Sequence, residues 1–379
     1  MQIATSSATM LADTFAGRRV LLTGDTGFKG AWLAEWLCML GARVFGLGLA
    51  PNTSPALFDL LKLSDRIEHE TLDIRDRASL RECVLRVQPD FVFHLAAQPL
   101  VRLSYKEPVE TWSSNVMGTV HLLDALVALD AVYEGESRTC AVVFVTSDKC
   151  YENREWVYGY REEDALGGHD PYSSSKAAAE IAVAAYRRSY FGAGGRVPRV
   201  GVASARAGNV IGGGDWSSDR IVPDCIRHLA GAAPVPVRNP RSTRPWQHVL
   251  EPLSGYLRLA AAIGRALNDE DVASAERLCG AFNFGPPVDS GRDVRTLVEE
   301  ILRYWPGSWV DESNGRAPHE SARLNLSSEK AYHDLNWISK WGFPLAVQRT
   351  VDWYRGCLND PSRAQQLTQD DIEAYRRDA

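Results

Sequence analysis

Short apolar runs alternate with amphipathic stretches through the first half of the chain. Five runs have the character of strands, at 19–23, 43–49, 67–73, 90–95 and 141–146. Stretches with helical spacing of apolar residues lie between them, at 30–40, 55–62, 76–87 and 109–129. Nearly continuous apolar strands separated by helices are typical of a parallel sheet covered on both faces. A sixth run at 199–205 follows a long helical stretch at 172–190, so the pattern predicts an α/β fold with a Rossmann-type, doubly wound parallel sheet.

This alternation stops after Asn209, where three consecutive glycines (212–214) and a stretch rich in proline and arginine (234–247) follow. Helical spacing returns further on, and one strand-like apolar patch lies near 281–284; the helical stretches are 220–231, 250–268, 291–304 and 344–358. We therefore expect a cofactor-binding sheet domain at 17–210. A smaller, mixed α/β substrate-binding domain, interleaved with the first, is expected at 211–358.

Composition and charge exclude several classes of protein. Lys and Arg total 42 against 48 Asp and Glu, and this net charge of −6 gives no electrostatic reason to coat nucleic acid or an anionic membrane. The seven cysteines are scattered singly and the eight histidines lack metal-ligand spacing, so we expect a reduced, cytoplasmic chain without a metal site. No run reaches the roughly 18 apolar residues of a membrane span. Residues 1–16 lack the features of a signal peptide and are expected to be a loose leader, and residues 359–379 a peripheral tail.

Three glycines, Gly24, Gly27 and Gly30, follow the first predicted strand and open the first predicted helix. Glycine permits a tight turn and a close approach of the backbone to a pyrophosphate, at which the helix N-terminus directs its free N–H groups. The strand–turn–helix context favours this interpretation over a purely structural turn. The second strand ends without an Asp or Glu for an adenosine ribose, so the pattern does not decide between NAD and NADP. Asp73, after the third strand, suits an adenine contact and a turn cap equally well.

Tyr172 and Lys176 open the helical stretch that follows the fifth strand. Their spacing of four residues places both side chains on one helix face. A nearby ammonium group lowers the pKa of a phenol, so that the tyrosine can act as a base. Ligands of doubly wound sheets bind at the carboxyl ends of the strands, where this helix begins. We therefore predict that the pair is catalytic.

Ser147, Asp148 and Lys149 lie at the end of the fifth strand, on the same sheet edge. Ser147 is expected to hold a substrate hydroxyl beside Tyr172. An adjacent carboxyl and amine can supply an acid and a base for a second proton transfer, whereas the plainer alternative is a salt bridge within the loop.

Anion ligands are expected from the second half of the chain. Asn209, Arg220 and Arg244 are placed to receive the anionic part of a substrate, because guanidinium groups pair with phosphate oxygens. Arginine is abundant in this chain, so each arginine alone is as well explained as an ordinary surface residue.

The chain resembles the extended short-chain dehydrogenases/reductases that modify nucleotide sugars, from about Gly17 to Tyr354. The segments that carry the resemblance are GDTGFKGAWL, TSDKCYENREWVYGYREEDALGGHDPYSSSK, ARAGNVIGGGDW and RPWQHVLEPLSGYL. The second segment, in which Lys149 stands where most other nucleotide-sugar dehydratases carry Glu, separates one group of 4,6-dehydratases in this family from its neighbours. Asp25 stands where many relatives carry His.

The resemblance implies NAD as the cofactor and a nucleotide sugar as the substrate. The implied cofactor-binding residues are Gly24, Gly27, Phe28, Lys29, Gly30, Asp73, Ile74, Leu95, Ala96, Ala97, Tyr172 and Lys176. The implied substrate-binding residues are Asn115, Asn209, Arg220, Arg244 and, as weaker candidates, Arg316 and His319. Tyr172 would take the proton of the sugar 4-hydroxyl, Lys176 would lower its pKa, and Asp148 and Lys149 would assist the loss of water across C5 and C6.

The implied activity is that of a hydro-lyase in deoxysugar biosynthesis, for example for a lipopolysaccharide O-antigen. Two alternatives remain. A 4-epimerase of the same family needs no second acid–base pair, so Asp148 and Lys149 argue against it. A cofactor-sensing regulator without catalysis would be expected to have lost Tyr172 or Lys176, and the chain has both. The resemblance also implies a homodimer formed through the helices at 109–129 and 172–190, with a tetramer as the alternative.

Overall fold

The structure is a computed structural model that describes residues 7–191, 197–287, 290–313 and 323–378. Its strands are β1 (Arg19–Thr23), β2 (Arg43–Gly48), β3 (Glu68–Thr71), β4 (Phe91–His94), β5 (Cys140–Val145), β6 (Val200–Ala207), β7 (Val210–Ile211), β8 (Val235–Val237), β9 (Thr243–Pro245), β10 (Gln247–His248), β11 (Ala281–Phe284), β12 (Gly291–Asp293) and β13 (Trp309–Asp311).

The α-helices cover the sheet and build the second half of the chain. They are α1 (Ser7–Phe15), α2 (Phe28–Met39), α3 (Leu57–Leu60), α4 (Arg77–Val87), α5 (Val101–Lys106), α6 (Pro108–Trp112), α7 (Gly118–Tyr133), α8 (Pro171–Ser189), α9 (Ile221–Ala230), α10 (Leu250–Asn268), α11 (Val272–Leu278), α12 (Val294–Tyr304), α13 (Glu329–Leu335), α14 (Phe343–Asn359) and α15 (Ala364–Arg377).

Seven strands form one parallel sheet in the order β11-β6-β5-β4-β1-β2-β3. The order reverses beside β1, as in a doubly wound Rossmann-type sheet, so the predicted fold class is confirmed. All six strands predicted for the first half are present, each within two residues of its predicted ends. The seventh strand, β11, comes from the second half of the chain, so the sheet is not complete at residue 210.

Side chains of successive strand residues enter two separate cores. Val20 and Leu22 of β1 belong to the core on one face of the sheet, and Leu21 belongs to the core on the other face. This is the two-residue alternation of a strand with both faces covered. Every residue of β5 and β6 is buried, which explains why these strands are recognisable as uninterrupted apolar runs.

The two ends of the described chain are packed, which corrects the expected loose leader and peripheral tail. Phe15 of α1 is fully buried, and its ring centroid lies 4.7 Å from that of Phe91. Tyr375 of α15 is also buried, lies against Trp36 of α2 and donates a hydrogen bond of 2.7 Å to Glu251. Both helices place a few apolar residues on one face. This pattern is too short to show from the sequence whether a segment packs against the rest of the protein.

One helical run, residues 108–134, is long and apolar enough by length and composition to cross a membrane. It comprises α6, a π-helical turn at Ser113–Met117 and α7. Half of its most apolar window is buried inside the fold. Leu122 and Leu126 lie in the core beneath the sheet, as expected for a core helix of a globular protein.

Candidate active site

The glycine turn between β1 and α2 leaves no room for side chains. A Cβ atom at Gly24 would lie 2.7 Å from the backbone nitrogen of Ala96, and one at Gly30 would lie 2.0 Å from the carbonyl oxygen of Gly24. Thr23 fixes the loop after β4 to this turn, since its carbonyl oxygen accepts from the Leu95 N–H at 3.0 Å and its Oγ1 accepts from the Ala96 N–H at 3.2 Å. The glycine motif and the loop that begins at Leu95 therefore lie together, as predicted.

The N-terminus of α2 is suited to an anion. Gly27 is its N-cap residue, no side chain caps the helix, and no acidic residue lies in the first turn. Elsewhere in the described chain an aspartate caps the first turn of α4, α8, α11 and α12: Asp76, Asp170, Asp271 and Asp293. The first-turn N–H groups of α2 are thus left for a ligand, and the helix dipole favours a negative charge there.

Asp25 points away from the α2 N-terminus. Its Oδ2 lies 2.7 Å from Nδ1 of His69 on β3, and burial raises the pKa of this carboxyl group. A Cβ atom at Gly48, the last residue of β2, would lie 2.7 Å from Oδ1 of Asp25. The carboxylate is therefore compatible with a pyrophosphate at the turn, and it fills the space beside β2 where an acidic side chain is missing.

Asp73 and Ile74 follow β3, at the predicted edge of the cofactor site. Asp73 accepts hydrogen bonds from the backbone and side chain of Arg75, and this pairing lowers the pKa of Asp73. Ile74 packs against α7, where a Cβ atom at Gly118 would lie 2.4 Å from its Cδ1. The hydrogen bonds to Arg75 show Asp73 in the turn role, and its contact with adenine stays a prediction.

Tyr172 and Lys176 lie in the first half of α8, and both are buried. The Lys176 ammonium donates to the carbonyl oxygen of Val145 at 3.5 Å, at the end of β5. Burial lowers the pKa of Lys176 to about 8 and raises the pKa of Tyr172 to about 12, although a hydrogen bond with Ser147 opposes the rise for Tyr172. The expected lowering of the phenol pKa is therefore wrong for this structure, because burial outweighs the neighbouring charges.

Ser147 joins the second proposed pair to the first. Its Oγ donates to Oδ1 of Asp148 at 3.0 Å, accepts from the Lys149 N–H at 3.2 Å, and is hydrogen-bonded to the Tyr172 phenol. Asp148 is buried, and no ion pair joins it to Lys149 within the described residues. One hydroxyl group is thus hydrogen-bonded to both Tyr172 and Asp148, and the missing ion pair disfavours the loop salt bridge.

The side chain of Asn115, an implied substrate-binding residue, makes hydrogen bonds to other protein groups. Its Oδ1 accepts from the Gln98 N–H at 2.8 Å, and its Nδ2 donates to the Gln98 carbonyl oxygen and to Oγ of Ser175. These contacts tie the loop after β4 to α8. Asn115 therefore positions Tyr172 and Lys176 through protein contacts.

The other predicted anion ligands lie in the second half of the chain. Arg220, at the N-cap of α9, pairs with Asp215 at 3.0 Å and is close enough to Tyr172 to influence its pKa. Asn209 follows β6, and Arg244 is buried in β9, with Nη1 donating to the Thr243 carbonyl oxygen at 2.8 Å. Arg316 and His319 lie outside the described residues.

Two further residues lie at the site: Lys29, which was predicted only as a cofactor-binding residue, and Tyr256, which was not predicted. The ammonium of Lys29 lies 5.9 Å from the ring centroid of Tyr256, on α10. Burial lowers the pKa of Lys29 to about 8, while Asp148 raises it, so this amine is close to the second acid–base pair. The Tyr256 hydroxyl is buried without a hydrogen-bond partner among the described residues. Tyr256 has no recognisable signal of a site residue in the sequence, because α10 is buried along most of its length.

The chain is similar to known proteins over most of its length. Its segment containing Lys149 resembles the CDP-glucose 4,6-dehydratases in particular. The sequence profile described as GDP-mannose 4,6 dehydratase matches residues 21–261. The chain belongs to this family. Groups of three or more His, Cys, Asp or Glu residues that would suit a metal ion are absent from the described part of the chain.

Relatives of known activity match most of the chain. It is 46% identical over 345 residues to the CDP-glucose 4,6-dehydratase of Salmonella typhimurium, covering 90% of this chain and 92% of that protein. It is 25% identical to the dTDP-glucose 4,6-dehydratase of Neisseria gonorrhoeae, covering 92% and 98% of the two chains.

Solved structures of other members share the fold. The dTDP-glucose 4,6-dehydratase of Streptomyces venezuelae, with NAD bound, superposes with a TM-score of 0.73 at 22% identity, covering 89% of this chain and 97% of that one. The UDP-glucose 4-epimerase of Thermotoga maritima gives 0.72 at 20% identity, covering 90% and 99%. At these identities the likeness concerns the fold alone.

Proposed function

We propose that this protein catalyses the NAD-dependent 4,6-dehydration of CDP-D-glucose to CDP-4-keto-6-deoxy-D-glucose. The observation that carries the proposal is a single hydroxyl group, that of Ser147, which is hydrogen-bonded to one member of each proton-transfer pair. It donates to Asp148 and is hydrogen-bonded to the Tyr172 phenol, whereas Lys149 contributes its backbone N–H and Lys176 lies one turn beyond Tyr172 on α8. A dehydratase needs both pairs, whereas an epimerase needs only the first.

The proposed cofactor site is the turn that contains Gly24, Gly27 and Gly30. The absence of a side-chain cap on α2 and the close contact between Gly24 and Ala96 support binding of the pyrophosphate there. NAD, if bound at this turn, would supply the hydride acceptor for C4 of the sugar and the hydride donor for C6. The NAD-bound structures of relatives support this choice.

The two pairs then divide the proton transfers. Tyr172 accepts the proton of the 4-hydroxyl group, and the Lys176 cation stabilises the resulting phenolate. The C4 ketone acidifies the proton on C5, so one member of the Asp148–Lys149 pair removes that proton while the other protonates the departing C6 hydroxyl. Water leaves, the hydride returns to C6 and a proton returns to C5, so the sum of the steps is the loss of one water molecule.

The nucleotide is proposed from the 46% identity with a CDP-glucose 4,6-dehydratase. Arg220 and Arg244 are proposed to hold its diphosphate, since guanidinium groups pair with phosphate oxygens and Arg220 is close enough to Tyr172 to influence its pKa. The use of the product for an O-antigen rests on the resemblance alone.

The test is a comparison of four sugar nucleotides: CDP-, UDP-, GDP- and dTDP-glucose, each incubated with the protein and NAD. Mass spectrometry should show loss of water from CDP-glucose with kcat/KM at least about tenfold above the others, as expected for specific polar contacts with the base. Efficient dehydration of another nucleotide would contradict the assigned base. Formation of an isomer of unchanged mass would favour the 4-epimerase.

We also propose that the protein is a cytoplasmic homodimer. An apolar groove on the surface of α6 and the π-helical turn supports an interface there, with lining residues Pro108, Val109, Trp112, Ser113, Val116 and Met117. Ile181 on the neighbouring α8 is 58% exposed, which extends the apolar surface to the second predicted interface helix. The free state of all seven cysteines is consistent with a reducing compartment.

A further inference from the structure

We propose that the buried ion pair of Glu180 and Arg206 is a positioning unit that holds the two proton-transfer pairs of the active site in register. The inference rests on the proposed function, because it assigns separate steps to the two pairs. It concerns residues that lie behind the site and touch neither pair's reacting atoms directly.

Glu180 attaches the Tyr172–Lys176 helix to the sheet. It lies one helical turn beyond Lys176 on α8, and its side chain is 3% exposed. Oε1 accepts from the hydroxyl of Thr146, directly after β5, and Oε2 accepts from the hydroxyl of Ser204 on β6 at 2.7 Å. A single carboxylate therefore fixes α8 against the ends of two adjacent strands.

Arg206 continues the network from Glu180 to the Asp148–Lys149 loop. Its Nη2 donates to Glu180 at 2.8 Å, and its Nη1 donates to the hydroxyl of Tyr151 at 2.7 Å. Tyr151 is buried and lies two residues after Lys149, and it donates in turn to Oδ1 of Asn283 on β11 at 2.8 Å. The chain of contacts thus begins beside Lys176 and ends beside Lys149.

The position of the ion pair indicates that it fixes a geometry, rather than only contributing to the free energy of folding. Removing two charges from water offsets much of their attraction, so a buried ion pair is often no more stabilising than an apolar pair of the same volume. Hydrogen-bonded charges do, however, favour one geometry, because an alternative packing leaves more buried polar groups unpaired; among the described atoms of this ion pair only Nε of Arg206 lacks a partner. Here the specified geometry is the distance between α8 and the loop after β5.

The test separates the two chemical steps in matched variants. Tyr151→Phe removes one hydroxyl from the loop side of the network, and Tyr133→Phe is its control, since Tyr133 is buried and its hydroxyl donates to the carbonyl oxygen of Pro89, far along the chain from both pairs. In single turnovers with CDP-glucose, absorbance of the reduced nicotinamide reports C4 oxidation, and product formation reports the later steps.

We expect Tyr151→Phe to leave C4 oxidation within about twofold of the wild type and to slow product formation at least about tenfold, so that reduced nicotinamide accumulates, because a small misplacement of a reacting group is costly. Glu180→Gln should slow C4 oxidation at least about tenfold with little change in KM. If Glu180→Gln does not fold, Ser204→Ala removes one of its hydrogen bonds and should slow the same step less strongly. Equal slowing of C4 oxidation and product formation in Tyr151→Phe, or effects of Tyr151→Phe and Glu180→Gln no larger than those of Tyr133→Phe, would overturn the proposal.

Amide hydrogen exchange provides a readout that does not depend on the reaction. Glu180→Gln, or Ser204→Ala in its place, should accelerate exchange in residues 147–151 although neither position lies in that segment. Unchanged exchange there would overturn the positioning role even if the protein proved to have a different activity. Conversely, an inactive wild type with the expected exchange pattern would contradict the proposed function and leave the network intact.

Discussion

Burial shifts the pKa values of the two residues of the first catalytic pair in opposite directions and separates them. The pKa of the Tyr172 phenol rises to about 12, and that of the Lys176 ammonium falls to about 8. At neutral pH the phenol therefore holds its proton, and it can act as a base only when further positive charge or a substrate hydroxyl stabilises the phenolate. Ser147 supplies part of that stabilisation only when its hydroxyl proton turns from Asp148 to the phenolate oxygen.

Replacing Tyr172 by phenylalanine tests the base of the first step. Tyr172→Phe removes the group that accepts the 4-hydroxyl proton, so C4 oxidation should slow by about 100- to 10,000-fold. The Kd of CDP, measured by calorimetry, should remain within about twofold, because the nucleotide is bound elsewhere. Retention of more than a tenth of the oxidation rate would refute the assigned role.

Replacing Lys149 tests the second pair independently of the first. Lys149→Met keeps a long side chain but cannot transfer a proton, so C4 oxidation should proceed while elimination is blocked. Reduced nicotinamide should then accumulate in a single turnover, which absorbance detects directly. A variant that turned over normally would show that another group performs the second proton transfer.

Among the secondary-structure elements, the strands were predicted accurately from the sequence, but the pairing of strands within the sheet was predicted less completely. Each of the six strands in the first half is an apolar run between helices, a pattern that burial on both faces imposes. The patch at 281–284 was recognised as strand-like, but its pairing with β6 is a tertiary contact that local spacing does not encode. The packing of α1 and α15 could not be predicted from the sequence either, because it also depends on tertiary contacts.

In the candidate site, too, features set by local sequence order could be predicted, whereas contacts between residues distant in sequence could not. Ser147, Asp148 and the glycine turn directly follow β5 and β1, and Tyr172 and Lys176 open the helix that follows β5, so local order along the chain predicts that they share the carboxyl edge of the sheet. The protein contacts of Asn115 and the role proposed for Glu180 depend on partners that are distant in sequence. Their residue types alone carry no signal of this kind.

The attachment of α15 through Glu251 predicts a pH-dependent stability. Glu251 accepts hydrogen bonds from Trp341 and Tyr375, and burial raises its pKa to about 7, above the value of about 4.5 in the unfolded chain. Because the folded pKa is the higher one, the stability from the protonated group is fully present below about pH 4.5 and is lost as the pH rises through about 7. Relative to Glu251→Gln, the wild type should lose up to about 3 kcal/mol of unfolding free energy by pH 8.

Urea unfolding at pH 5 and at pH 8 measures this difference. The comparison between the two proteins cancels the contribution of other titrating groups, including Asp371, whose pKa is also raised to about 7 by burial. Parallel pH dependence in the wild type and Glu251→Gln would show that Glu251 is ionised in the folded protein throughout the range.

At the scale of the whole molecule, the exposed apolar surface of α6 and α8 predicts the oligomeric state. Trp112 is 42% exposed within the groove, so Trp112→Glu would place a charge at the centre of the proposed interface. Sedimentation should show a dimer for the wild type and a monomer for this variant. Tyr158→Glu, at an aromatic residue that is 58% exposed outside the groove, is the matched control and should remain dimeric. A monomeric wild type would contradict the proposed interface.

The most direct test of the account is the NMR spectrum of the product formed from CDP-glucose and NAD in heavy water. Two proton-transfer pairs acting in sequence require loss of water, a new methyl group at C6 and deuterium at C5, and this is the result that we predict. A C4 epimer without a methyl group would show that only the first pair acts. Unchanged CDP-glucose in the presence of demonstrable NAD binding would contradict the proposed catalysis altogether.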